Sequence, residues 1–147
     1  MSEWSKDVLL ELERAGWTPE RRVDTSKWRR EFESRGVPMP PAADEFLSRF
    51  GGLSFEWREI GVYTHRVDVD LNPELCVGQE DGFIEWSQEL GKAMFPLGEI
   101  DRGRHMLAID EDGMLYDLID GIAVYGPGVE GLNALLSGVL PERLPFE

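Results

Sequence analysis

Carboxylates dominate the reactive side chains of this chain: 29 Asp and Glu stand beside two histidines and one cysteine. A nucleophilic site needs Ser, Cys or Thr with a base in reach. His65 sits at a predicted strand end and His105 precedes an apolar run, settings in which an imidazole reads as a sheet residue rather than a base. Cys76 has no Cys or His at zinc-ligand spacing and reads as a small buried apolar residue. Asp110, Asp112 and Gly113 resemble part of a calcium loop. Placing Gly113 at the sixth position, however, leaves Ala108 first and Ile119 twelfth, so both required ligands fail. Gly51-Gly52 lacks the Lys-Ser/Thr of a phosphate loop, and Gly126-Pro127-Gly128 centres on a residue without an N–H. Two carboxylates facing one bond can hydrolyse a glycoside. Among 29 acidic residues some pair is adjacent by chance, so an enzyme is the weakest reading. The chain is expected to hold no catalytic residue, cofactor or metal.

The elements that carry these groups are legible from turns and periodicity. His105–Ile109 and Met114–Leu118 are apolar runs separated by Asp110-Glu111-Asp112-Gly113, where Asp-Gly suggests a tight hairpin with two positive-φ residues. Asp120-Gly121 leads into a third run, Ile122–Tyr125, so Phe95–Tyr125 predicts an antiparallel meander. Both phases of 106–109 are apolar, as in a central strand covered by helices. Upstream, Trp4, Val8, Leu12 and Ala15 mark an amphipathic helix over 3–15 ended by Gly16, and Trp17 anchors a loop. Asp24, Thr25 or Ser26 caps a second helix bearing Trp28 and Phe32, and Pro41 starts a third that buries Phe46, Leu47 and Phe50. Leu53–Trp57, Ile60–His65 and Val67–Val69 are strand candidates. Leu75-Cys76-Val77 fits a strand or a helical turn, and Glu80–Gly91 and Val129–Leu136 are helices.

The expected fold is therefore α+β in one domain. A helical part, 1–52, precedes a sheet with an inserted helix, 53–125; a C-terminal helix, 129–138, and an extended tail, 139–147, follow. The sheet is expected to be mainly antiparallel, of about five or six strands, covered by the N-terminal, middle and C-terminal helices. The single cysteine forms no internal disulfide, no apolar run approaches the ~20 residues that span a bilayer, and the start lacks a basic signal-peptide region. Cytoplasmic location is the expectation.

Charge bounds the partner. Fifteen Lys and Arg give a net of −14, of which −13 lies in residues 51–147, where six basic residues meet 19 acidic ones. Such a field disfavours nucleic acid and anionic membrane and suits a basic protein.

The order Gly16-Trp17-Thr18-Pro19 with Arg21-Arg22-Val23-Asp24, then Phe46-Leu47-Ser48-Arg49-Phe50-Gly51-Gly52-Leu53, then Pro96-Leu97-Gly98-Glu99, then Leu107-Ala108-Ile109-Asp110 with Gly113 and Tyr116, resembles the third branch of the SUKH superfamily. The likeness runs from about Trp4 to Gly138 and consists of packing and turn signatures. It implies helices on an antiparallel sheet and a bacterial immunity protein that neutralises a cognate toxin domain. It supplies no contact residues.

If the toxin is a basic nuclease, carboxylates can take the place of phosphates in its cleft. The candidate contacts are then Asp68 and Asp70; Asp81, Glu85 and Glu89; Asp110, Glu111 and Asp112; and Asp117 and Asp120, with Trp57, Tyr63 and Trp86 as possible apolar anchors. The competing reading is a non-catalytic intracellular regulatory scaffold of the same fold, which requires no basic partner.

Overall fold

The computed structural model describes residues 4–56, 68–101, 103–118, 121–139 and 141–144. Trp57, Tyr63, His65, the proposed strand 60–65, Val67 and Asp120 lie outside the described residues.

The first helix, α1 (Lys6–Arg14), buries Val8 and Leu12. It begins later than the periodicity predicts because Ser5 is extended, and its backbone N–H donates to Asn133 Oδ1 at 2.9 Å. Trp4 instead joins an aromatic cluster, 5.8 Å from Trp17 and 5.7 Å from Phe50. Trp17 stacks on Phe50 at 5.9 Å, so the predicted loop anchor connects α1 to α3 (Pro41–Phe50). The same loop caps α3: the Arg21 guanidinium donates to the Arg49 and Gly51 carbonyls, both at 2.8 Å. A cation at a helix C-terminus satisfies orphan carbonyls and suits the dipole. Between them, α2 (Ser26–Glu33) starts where Asp24 Oδ1 accepts from the Ser26 N–H and hydroxyl. Those hydrogen bonds, led by the side-chain one, hold the Asp24 carboxyl below its ordinary value.

Seven strands form one antiparallel sheet in sequence order among the described residues. They are β1 (Ser54–Phe55), β2 (Val69–Asp70), β3 (Met94–Ile100), β4 (His105–Asp110), β5 (Met114–Leu118), β6 (Ile122–Pro127) and β7 (Glu142–Arg143). The count exceeds the expected five or six, and one strand comes from the tail, where Glu142 and Arg143 pair with Val124 and Ala123 of β6. Pro73–Cys76 is a 3₁₀ turn, which resolves the alternatives left open there; the Cys76 thiol donates to the Gly98 carbonyl, and burial pushes it up to about 12.

Register shows how the cover is built. Phe95, Ile109 and Leu115 are cross-strand neighbours on one face of β3, β4 and β5. Phe32 of α2 meets Phe95 edge-on at 5.3 Å. Phe46 and Phe50 of α3 share a groove with Ile109. The last helix, α5 (Gly128–Ser137), reaches Leu115 through Gly131, where an added Cβ would stand 2.4 Å from the Gly126 carbonyl oxygen. Only glycine allows that approach. The opposite face of the sheet is also buried at Ala108, Tyr116, Leu118 and Ile122. The middle helix, α4 (Glu80–Leu90), packs on β3: Phe83 is buried, and Ser87 Oγ accepts from the Met94 N–H at 3.1 Å.

Candidate partner-binding surface

The candidate carboxylates fall into four settings. Asp68 and Asp70 lie at the β1–β2 edge, where Asp70 is directly opposite Glu99. With Glu56 they surround a cleft of about 160 Å³. Burial raises the Asp70 carboxyl above its ordinary value. Glu56 and Glu99 were not among the expected residues, because only strand register brings them here.

Asp81, Glu85 and Glu89 are exposed along α4 at i, i+4 spacing, which puts them on one side of the helix. None has an ion-pair partner among the described residues. Trp86 is half-buried against Phe83, 5.5 Å away with the rings nearly perpendicular, so it belongs mainly to the packing of α4.

At the hairpin, the expectation of exposed carboxylates holds for two of three residues. Glu111 and Asp112 are exposed, whereas Asp110 is fully buried. Its Oδ1 accepts from the backbone N–H groups of Asp112 at 2.8 Å and Met114 at 3.0 Å, and its Oδ2 accepts from the Tyr116 hydroxyl at 2.7 Å. These bonds shape the turn. Residues 111–113 form a three-residue loop with positive φ at Gly113 alone, rather than the tight hairpin with two such residues that Asp-Gly suggested. Burial, followed by the hydrogen bond to Asp110, raises the Tyr116 phenol. Glu111 accepts from the Ala93 N–H at 2.9 Å, and Lys92 pairs with Asp112. Because Lys92 and Ala93 directly follow the α4 cap Gly91, the hairpin tip adjoins the helix end that carries Glu89. The end of α4 and the hairpin tip thus adjoin at residues 91–93, and we term the acidic side of the helix together with that tip the ridge; the junction has no local sequence signal.

Asp117 is also buried rather than exposed. One oxygen meets His105 Nδ1 at 2.7 Å and the other accepts from the Tyr125 hydroxyl at 3.2 Å. Burial first, and Asp117 second, raise the Tyr125 phenol. Both oxygens of the buried Asp117 carboxylate are thus hydrogen-bonded within the sheet, as a buried polar group requires.

An apolar groove lies beside the hairpin tip, between α3 and the start of α5. It measures about 260 Å³, and its lining includes Phe46, Phe50, Ile109, Asp112 and Val129. Phe46 and Phe50 were legible as the buried stripe of α3, but their meeting with Val129 depends on tertiary packing.

Among the described residues, no group of three or more His, Cys, Asp or Glu is placed to hold a metal, and no helix is long and apolar enough to cross a membrane. In comparisons with known proteins, the family model described as SUKH-3 immunity protein matches residues 4–138. No curated protein and no solved structure matches the chain.

Proposed function

The chain belongs to the SUKH-3 immunity protein family, and from that premise we propose that it binds and neutralises a cognate toxin domain in the cytoplasm without catalysing a reaction. The family match over 4–138 carries the immunity reading. The finer reading, a basic toxin held through carboxylates, is supported by the charge of −14 and by the ridge formed from α4 and the hairpin tip. Asp81, Glu85, Glu89, Glu111 and Asp112 are its exposed acidic groups. Such a field accelerates encounter with a positive surface and rejects nucleic acid. A nuclease, whose cleft must attract phosphate, is the class of toxin that it suits best. Asp68 and Asp70 form a separate acidic edge that can widen the contact. Asp110 acts from within, by holding the hairpin turn that presents the tip of the ridge, whereas Asp117 is used inside the sheet by His105 and Tyr125.

The test is a pull-down from source-cell lysate with the tagged chain at low and high salt, followed by expression of each retained protein alone and with the chain. The expected result is a toxic domain whose killing is relieved by co-expression and whose retention falls at high salt. Retention of harmless proteins only would overturn immunity. A neutralised toxin whose binding ignores salt would leave immunity standing and remove the acidic contact.

A further inference from the structure

We propose that the groove between α3, the β4–β5 loop and the first turn of α5 receives one bulky apolar side chain of the toxin, presented between basic residues. This rests on the immunity reading and names the centre of that contact. At about 260 Å³ the groove has room for a ring or a branched side chain, since an apolar cavity of about 150 Å³ takes up benzene. It continues over Pro127, Gly128 and Val129 into a second recess bounded by Glu130. Its walls are joined by direct contacts. The Gly128 N–H donates to the Gly113 carbonyl at 2.7 Å, joining the start of α5 to the hairpin, and Phe46 and Phe50 pack with centroids 4.9 Å apart. A pocket formed in advance loses little entropy when it is filled.

The mouth selects the occupant. Glu45 on α3 and Glu130 on α5 are exposed, border the groove and its continuation, and have no ion-pair partner among the described residues. Asp112 adds a third carboxylate, which Lys92 partly offsets. The one guanidinium in the lining, that of Arg49, sits 5.0 Å from the centre of the Phe50 ring. An acidic segment would meet repulsion here. So would a second copy of this chain, which carries −14. A basic segment with an apolar residue at its centre satisfies both floor and mouth, the arrangement of a hot spot enclosed by a polar rim.

The first arm of the test titrates the ¹⁵N-labelled full chain with the peptide acetyl-Lys-Arg-Trp-Arg-Lys-amide, with its Trp-to-Ala analogue, and with a Glu-flanked Trp peptide. The basic Trp peptide should shift the amides of Ile109, Gly113, Gly128 and Val129, and the other two should leave them unmoved. The double variant Glu45→Lys/Glu130→Lys should weaken that binding about tenfold. Shifts confined to other surfaces, or equal shifts with the Ala peptide, would overturn the groove. The second arm fills it with Ala42→Trp, whose fold is checked by the same spectrum, and repeats the co-expression assay. Lost protection supports the proposal. A folded Ala42→Trp chain that protects as the wild type does overturns the groove while immunity stands. A wild-type chain that relieves no toxin overturns immunity, and the peptide titration then decides the groove separately.

Discussion

Along α4, Asp81, Glu85 and Glu89 are exposed and have no ion-pair partner among the described residues. Twenty or so residues later, Asp110 is fully buried and accepts three hydrogen bonds, two of them from the backbone of its own turn. Residue type is nearly the same, but the physical work is opposite. On α4, like charges at i, i+4 destabilise the helix by about 0.2–0.5 kcal/mol per pair, a small cost that leaves the charge available to a partner. In the hairpin the carboxylate is consumed by the fold. Negative charge therefore does not identify a binding residue; an acid available for recognition is one whose oxygens the chain has not already used.

The largest effect that could break this distinction is on stability. Asp110→Ala leaves two backbone N–H groups and the Tyr116 hydroxyl without their acceptor, and should cost about 3 kcal/mol. The measurement is the urea midpoint at constant m. Asp110→Asn, which keeps an oxygen for both amides, should cost about 1 kcal/mol. Glu111→Ala, with one exposed bond to Ala93, should stay within about 0.5 kcal/mol. A loss at Glu111 equal to that at Asp110 would erase the contrast between hairpin residues.

The interior can also be separated from the ridge by pH. Cys76, Tyr116 and Tyr125 are all raised chiefly by burial, Cys76 from 9.0 to about 12. Each stays protonated in the folded chain after its unfolded counterpart ionises, so its contribution is fully present below the unfolded pKa and is lost as pH rises through the folded one. Stability should begin to fall near pH 9, by about 1.4 kcal/mol per pH unit for each proton involved. Cys76→Ala should flatten the start of that decline, near pH 9–10, relative to its own stability at pH 7. An unchanged slope would mean that the thiol ionises alike in both states.

Turn chemistry and periodicity made the hairpin, the meander and the five helices legible, because their signals are local: Pro41 at a helix start, Gly91 at a helix end, a short apolar run through 105–109 bounded by a turn. The same local rule misjudged the loop at 111–113. Asp-Gly indicates where the chain turns, but a buried side chain, Asp110, decides how many residues the loop holds. The ridge was half legible. Spacing placed Asp81, Glu85 and Glu89 together, whereas their junction with Glu111 and Asp112 depends on where β3 begins after Gly91. The groove was least legible, since Phe46, Ile109 and Val129 lie on three elements far apart in the chain.

For the ridge itself the expected effect is kinetic. Reversing Asp81, Glu85 and Glu89 to Lys should slow association with a basic toxin about tenfold at low salt and flatten its salt dependence, with stability changed by less than about 0.5 kcal/mol. Stopped-flow rates at several ionic strengths would show this. An unchanged rate beside a slowed Asp68/Asp70 reversal would move the contact from α4 to the β1–β2 edge.

The smallest effect tests whether that edge belongs with the free acids or the consumed ones. Asp70 faces Glu99 across the strands, and its carboxyl is raised by burial. Like charges directly opposite one another destabilise a sheet, so Asp70→Asn should stabilise the fold by about 0.3 kcal/mol at pH 7, a small value because water screens a partly exposed pair. A carboxyl raised in the folded state favours folding at low pH and loses that contribution as pH rises through its folded pKa. The advantage of Asn over Asp should therefore shrink as pH falls into the carboxylate range. If Asp70→Asn is instead destabilising at pH 7, Asp70 is bonded as Asp110 is, and the edge belongs to the fold rather than to the partner.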